Sequence, residues 1–326
     1  MAAAPPPIWP TPLGTVQPAD PFNPETASQA LRKAMKGLGT DEATIIKILT
    51  THCNAQRREI EKVYKQMHGR DLLDDLKSEL SGKFESFVLA LFQHPRIYDA
   101  KECNSAISGV GTNEDTLIEI LATRSNAEIK DIRDQYRLLF KRELERDIQA
   151  DTSGDFKRLL TSLVTGNRED RPQPDVELAK KEANELYKAG EKKLGTDEAV
   201  FNRILCLRSN AQLCETFAQY KAISGKDIEK SIASEMSGNL EVGCLAIVRA
   251  ARNTPAYFAE RLYKSMAGAG TKDNALIRTV VSRSEVDMAA IKQEFNRMYG
   301  KTLASFVKGD TSGDYKKVIL GIIGEQ

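Results

Sequence analysis

The sequence predicts an all-α fold built from four copies of one unit of about five short helices. Three observations carry the prediction. Apolar residues recur with helical period between the prolines, as in LRKAMKGLG, IIKILTTHC, REIEKVYKQM and FESFVLALF. No stretch alternates apolar and polar residues for long enough to suggest a sheet. One hexapeptide, GLGTDE at 37–42, returns as GVGTNE at 109–114, KLGTDE at 193–198 and GAGTKD at 268–273. Such a return marks a repeat architecture.

Taken in order, the chain opens on MAAAPPPIWPTPLGTVQPADPFNP, which holds eight of the twelve prolines. Residues 1–24 are therefore expected as an extended, non-helical tail with Trp9 as its hydrophobic anchor. Repeat 1 is expected over 25–95. In its MKGLGTDEAT, Thr40 is placed to cap a helix, Asp41 and Glu42 suit the positive first turn, and IIKIL supplies the apolar face. Repeat 2 is expected over 96–167. The longer connector GNREDRPQPD at 166–175 separates it from the next repeat and sets a linker at 168–177. Repeats 3 and 4 then fill 178–252 and 253–326.

The register runs deeper than the hexapeptide. Counted from Gly39, Gly111, Gly195 and Gly270, the residues thirteen further on are His52, Arg124, Arg208 and Arg283. Twenty-five further on stand Tyr64, Tyr136, Tyr220 and Phe295. Forty further on stand Glu79, Asp151, Glu235 and Asp310, each opening an acid-x-Ser-Gly tetrapeptide. The arginines are expected to cap helix carbonyls inside each repeat, in preference to lining an ion path. The aromatics are expected in the core.

A Gly-x-Gly-Thr loop matched by a distant carboxylate suits calcium. This hard cation takes six to eight oxygens, commonly mixing backbone carbonyls, one bidentate carboxylate and water. A glycine-rich loop can turn carbonyls toward one point, and the Glu-for-Asp exchange among the four copies fits a role in which only the carboxylate matters. One formal charge per site leaves the ion under-neutralised, open to a phosphate oxygen. The competing reading is local: glycines end one helix, Thr caps the next, and acid-x-Ser-Gly is a further helix junction. A dinucleotide or P-loop fingerprint and an EF-hand loop are both missing. His52, His68 and His94 share no metal-ligand spacing, and no nucleophile–base pairing points to an enzyme.

Composition excludes other classes. A net charge of +1 with 29% charged residues directs no global field at nucleic acid. The sequence has no apolar run long enough for a membrane span and does not start like a signal peptide. Cys53, Cys103, Cys206, Cys214 and Cys244 are odd in number and lack CxxC spacing, as expected of packed, reduced thiols in a cytosolic protein.

From about residue 25 to 326 these motifs, their order and the longer link between repeats two and three resemble the annexins. VQPADPFNP and MAGAGTKD look most like invertebrate members of that family. The resemblance implies a curved disc of five-helix repeats with calcium loops on its convex face. It also implies a cytoplasmic protein that binds acidic phospholipid membranes peripherally when calcium rises, with several Ca2+ ions as cofactor. Carried over by position, the first site would use Met35, Gly37, Gly39 and Glu79, and the second Ile107, Gly109, Gly111 and Asp151. The fourth would use Met266, Gly268, Gly270 and Asp310. Repeat 3 departs from the pattern and offers Gly190, Lys193, Gly195 and Glu235. Its loop carries Leu194 where the family often has Trp, and repeat 1 carries His52 where the other copies have Arg. The tip residues Leu38, Val110, Leu194 and Ala269 are all apolar, so they either fold back onto their own repeats or touch the headgroup–acyl boundary. A monomer is expected in solution, with self-association on membranes left open. The alternative function is a helical scaffold that takes a protein partner through the Pro-rich tail, with calcium incidental.

Overall fold

In the computed structural model the described residues are 13–37, 39–109, 111–191 and 195–325, and every regular element among them is a helix. Repeat 1 supplies α1 (Pro24–Ala34), α2 (Glu42–Thr51), α3 (Asn54–His68), α4 (Leu72–Glu79) and α5 (Gly82–Phe92). Repeat 2 supplies α6 (Pro95–Ile107), α7 (Glu114–Thr123), α8 (Asn126–Phe140), α9 (Leu144–Asp151) and α10 (Gly154–Val164). Then come α11 (Val176–Ala189), α12 (Glu198–Leu207), α13 (Asn210–Ser224), α14 (Ile228–Glu235) and α15 (Gly238–Arg252). Repeat 4 ends the chain with α16 (Thr254–Met266), α17 (Asp273–Arg283), α18 (Met288–Tyr299), α19 (Leu303–Asp310) and α20 (Gly313–Ile322).

Local chemistry explains the boundaries. α1 starts at Pro24, where a missing N–H costs nothing, and the Asn23 carboxamide accepts from the Thr26 amide at 2.7 Å. The last proline of the tail thus starts a helix. The third helix of each repeat ends on a left-handed residue: Gly69, Lys141, Gly225 and Gly300, at φ 63°, 56°, 73° and 65°. The four register aromatics, Tyr64, Tyr136, Tyr220 and Phe295, are fully buried, as expected of core residues.

Two expectations need correction. α2 is capped by Asp41, not Thr40: the Asp41 carboxylate accepts from the Thr44 amide at 3.0 Å. Asn113 does the same for α7, accepting from the Thr116 amide at 3.1 Å. The preceding threonine is engaged elsewhere, by the carboxylate described below. The register arginines are structural, but they bind carboxylates and do not cap carbonyls. Arg124 makes a two-pronged pair with Asp99 at 3.0 and 2.9 Å. Arg208 holds Glu182 at 2.7 Å and Glu169 at 2.8 Å, and Arg283 holds Asp287 at 2.8 and 2.6 Å. A guanidinium removed from water needs a countercharge as well as acceptors, and carbonyls supply only the latter. His52, in the odd position, places Nδ1 2.8 Å from the Ile48 carbonyl.

The chain forms two compact units. One joins the residues up to Pro95 with those from Phe258 onward, and the other holds Arg96–Tyr257. In the first unit α2 packs on α20 and α5 on α17; in the second α7 packs on α15 and α10 on α12. Each unit therefore closes its core with the second and fifth helices of two repeats. The described part of the tail belongs to the first unit. The Leu13 carbonyl accepts from the Ala289 amide at 2.7 Å, and the Thr15 and Val16 amides both donate to the Ser284 carbonyl. Val16 is buried, and Gln56 grips the Ala19 backbone from both sides. Trp9, the expected anchor, lies outside the described residues.

Candidate functional site

The described residues of each hexapeptide run from the end of the loop after the first helix of its repeat into the first turn of the second, and one backbone bond closes each loop. The Asp41 amide donates to the Ala34 carbonyl at 2.9 Å, Asn113 to Ala106 at 2.8 Å, Asp197 to Ala189 at 2.8 Å and Lys272 to Ser265 at 2.7 Å. The third closure spans residues 189–197, one residue more than 34–41, 106–113 or 265–272. The second glycine of each loop has a left-handed backbone: Gly39, Gly111, Gly195 and Gly270 lie at φ 86°, 83°, 84° and 87°. A Cβ there would meet nothing within 4 Å, so conformation and not space demands glycine.

The helix-end carboxylates come to these loops. Glu79, Asp151, Glu235 and Asp310 are the last residues of α4, α9, α14 and α19. The Thr40 hydroxyl donates to the Glu79 carboxylate at 2.8 Å, and Thr112 and Thr271 donate to Asp151 and Asp310 at 2.6 Å each. The third copy differs: the Thr196 hydroxyl reaches only the Glu235 main-chain carbonyl, at 3.0 Å. Gly190 still lies against Glu235, since a Cβ on it would sit 3.8 Å from the glutamate Cγ.

The carbonyl positions fit a cation that takes backbone oxygens. Among the described residues, no hydrogen bond is donated to the carbonyls of Met35, Gly37, Gly39, Ile107, Gly109 or Gly111. The same holds for Gly190, Gly195, Met266, Gly268 and Gly270. The Met35 and Met266 side chains are buried at the helix ends, which leaves only their backbone to serve the loop. Nor do three or more His, Cys, Asp or Glu side chains converge among the described residues. A cation held here would therefore depend on main-chain oxygens. Lys193 and the tips Leu38, Val110 and Leu194 lie outside the described residues, and Ala269 is exposed.

Behind the loops lies a network that the sequence reading missed. The Tyr64 hydroxyl donates to Asp75 at 2.6 Å, and Arg70 grips the same carboxylate. Burial, with Asp75 alongside, pushes the Tyr64 hydroxyl up to about 12. Tyr136 and Asp147 repeat the bond at 2.6 Å, with Arg142 3.3 Å from the carboxylate. In the third repeat Ser231 replaces that aspartate, and Glu191 from the longer loop takes over the cation but not the aromatic: the Tyr220 hydroxyl is buried without a hydrogen-bond partner among the described residues. Glu191 accepts from Lys226 at 2.9 Å and from the Ser231 hydroxyl at 2.8 Å. The Lys226 ammonium holds the Glu191 carboxyl below its usual range. Two signals were present in the sequence: AGEKKLGT is one residue longer than AMKGLGT, and the position eleven after the aromatic reads Asp75, Asp147, Ser231, Phe306.

Comparison with known proteins agrees with this architecture. The Annexin family model matches residues 26–91, 98–163, 181–247 and 257–322. The chain is 54% identical to annexin A4 of Sus scrofa over 311 residues, 95% of this chain and 98% of that protein. It is 53% identical to annexin A11 of Homo sapiens over 311 residues, 95% of this chain but only 62% of that longer protein. Among solved structures, annexin III superposes with a TM-score of 0.94 at 48% identity, covering 96% of this chain and 97% of that one. A calcium-bound annexin (Sm)1 superposes with a TM-score of 0.86 at 36% identity, covering 96% of this chain and 93% of that one. Four family matches fall in register on four repeats that share one loop, one buried aromatic and one helix-end carboxylate: the chain belongs to the annexin family.

Proposed function

We propose that the protein binds anionic phospholipid membranes peripherally and reversibly, through calcium ions held at its glycine loops. The observation that carries this reading is the threonine bond that brings a helix-end carboxylate to the loop, as in Thr40–Glu79, Thr112–Asp151 and Thr271–Asp310. In each site the loop carbonyls would supply most of the oxygens and the carboxylate the formal charge. Bound calcium supplies a bridge to lipid phosphate oxygens. The third site would draw on Gly190, Lys193, Gly195 and Glu235 and is the weakest, because its carboxylate lacks the threonine. The tips Leu38, Val110, Leu194 and Ala269 are read as touching the headgroup–acyl boundary.

No helix among the described residues is long and apolar enough to cross a membrane, which suits attachment from one side. We read the protein as a binding module of the cytoplasm and not as an enzyme. Co-sedimentation with phosphatidylserine vesicles tests the proposal. Recovery in the lipid pellet with calcium, and release by EGTA, are expected. Equal recovery with and without calcium would refute it.

A further inference from the structure

A cavity of about 420 Å³ opens between α8 and residues 165–167, where α10 passes into the connector, within the second unit, and shares no residue with the glycine loops. Lys130, Arg133 and Arg137 line it. At i, i+3 and i+7 of one helix they share a face. The two carboxylates in the cavity are both committed to the third cation: Asp134 lies 2.9 Å and Glu143 4.0 Å from Arg137. Lys130 has no carboxylate partner among the described residues, and Arg133 makes only a long contact to the Thr165 carbonyl at 3.5 Å.

The repeat does not need these cations. Counted from the buried aromatic, the matching residues are Arg58, Glu61 and Lys65 in repeat 1, and Cys214, Phe217 and Lys221 in repeat 3. In repeat 4 they are Ala289, Lys292 and Asn296. An exposed lysine and a half-buried arginine, one turn apart and unneutralised over a concave surface, form an anion site and not a packing device. A lone carboxylate carries one charge against their two. A phosphate dianion uses both, with the planar guanidinium fork on two oxygens and the ammonium on the third. The cavity reaches the first turn of α8 at Asn126 and Ala127, where the helix end adds further positive potential. With roughly 30 Å³ per water in the liquid, the space admits a phosphate and part of the group that carries it.

We propose that this cavity binds a phosphate monoester, with Lys130 and Arg133 as its charged donors. A soluble compound and a lipid headgroup offer the same chemistry, so the test has two arms. Both are run in EGTA, which silences any calcium bridge at the loops. In the first, O-phosphoethanolamine is titrated into ¹⁵N-labelled protein. Saturable amide shifts at Lys130, Arg133 and Gly166 are expected, on the order of tenfold weaker in affinity in Lys130→Gln/Arg133→Gln. Lys62→Gln, at an exposed lysine of α3, should bind like the wild type. In the second, the same proteins are spun down with phosphatidic acid vesicles. Variant-sensitive binding in the vesicle arm alone upholds the site and assigns the phosphate to a headgroup. If the double variant fails a circular dichroism check of its fold, the exposed Lys130→Gln carries the comparison. Linear shifts with no vesicle binding, or equal binding by a folded variant, overturn the proposal.

Discussion

Lys141 is the one described non-glycine residue with positive φ, at 56°, and it ends α8 where the other third helices end on Gly69, Gly225 and Gly300. A left-handed backbone with a Cβ costs roughly 1–2 kcal/mol, part of which glycine returns as entropy in the unfolded chain. Lys141→Gly should therefore stabilise the protein by about 0.5–1 kcal/mol, read as a higher urea midpoint at unchanged slope. The loop carboxylates make a second residue-scale case. Asp151 and Asp310 are held by threonine hydroxyls at 2.6 Å, while Glu235 has no such bond. Asp151→Asn or Asp310→Asn should raise the calcium needed for half-maximal vesicle binding several-fold, roughly the loss of one charge-assisted ligand. Glu235→Gln should raise it less, and the reverse ranking would refute the ordering of the sites.

At the scale of the element, the third loop differs from its counterparts in what holds it. Its extra residue lets Glu191 turn inward to Lys226 and Ser231, where repeats 1 and 2 use Asp75 and Asp147 from their fourth helices. The tether therefore ties the loop itself to the repeat interior. Glu191→Gln should speed hydrogen exchange at the Gly195 and Thr196 amides and leave Gly111 and Thr112 unchanged. The carboxyl is depressed when folded. Its contribution is thus fully present above the ordinary carboxylate range and is lost as pH falls through the lowered value. Protection factors at the third loop in the wild type, corrected for the intrinsic pH dependence of amide exchange, should fall over that acid window and hold steady at higher pH.

At the scale of the whole molecule, the two units make the loops local devices on separate scaffolds. Every loop is closed by its own backbone bond, and those of repeats 1, 2 and 4 are bonded to a carboxylate from their own repeat. Removal of one carboxylate should leave the other loops' affinities unchanged, so the effects of Asp151→Asn and Asp310→Asn on vesicle binding should add as free energies. A double variant much weaker than that sum would point to coupling between units.

The helices, the repeat register and the buried aromatics were legible because each follows from local period, helix ends and in-register recurrence, as at Tyr64 and Tyr136. The pairing of glycine loop with helix-end carboxylate was legible for the same reason, as a fixed spacing of forty. Sequence could not decide partners that depend on where a side chain lands. Thr40 looked like a cap because a cap is local, yet its hydroxyl faces Glu79, thirty-nine residues away. The register arginines looked like carbonyl caps, yet burial set a countercharge beside each, with Asp99 twenty-five residues from Arg124. Only the tertiary structure joined the first repeat to the fourth in one unit, seated Val16 on the far end of the chain and gave Lys226 the loop carboxylate of Glu191 where Arg70 has Asp75. Period and spacing fix what lies along a helix, whereas burial and countercharge are settled only when helices distant in sequence meet.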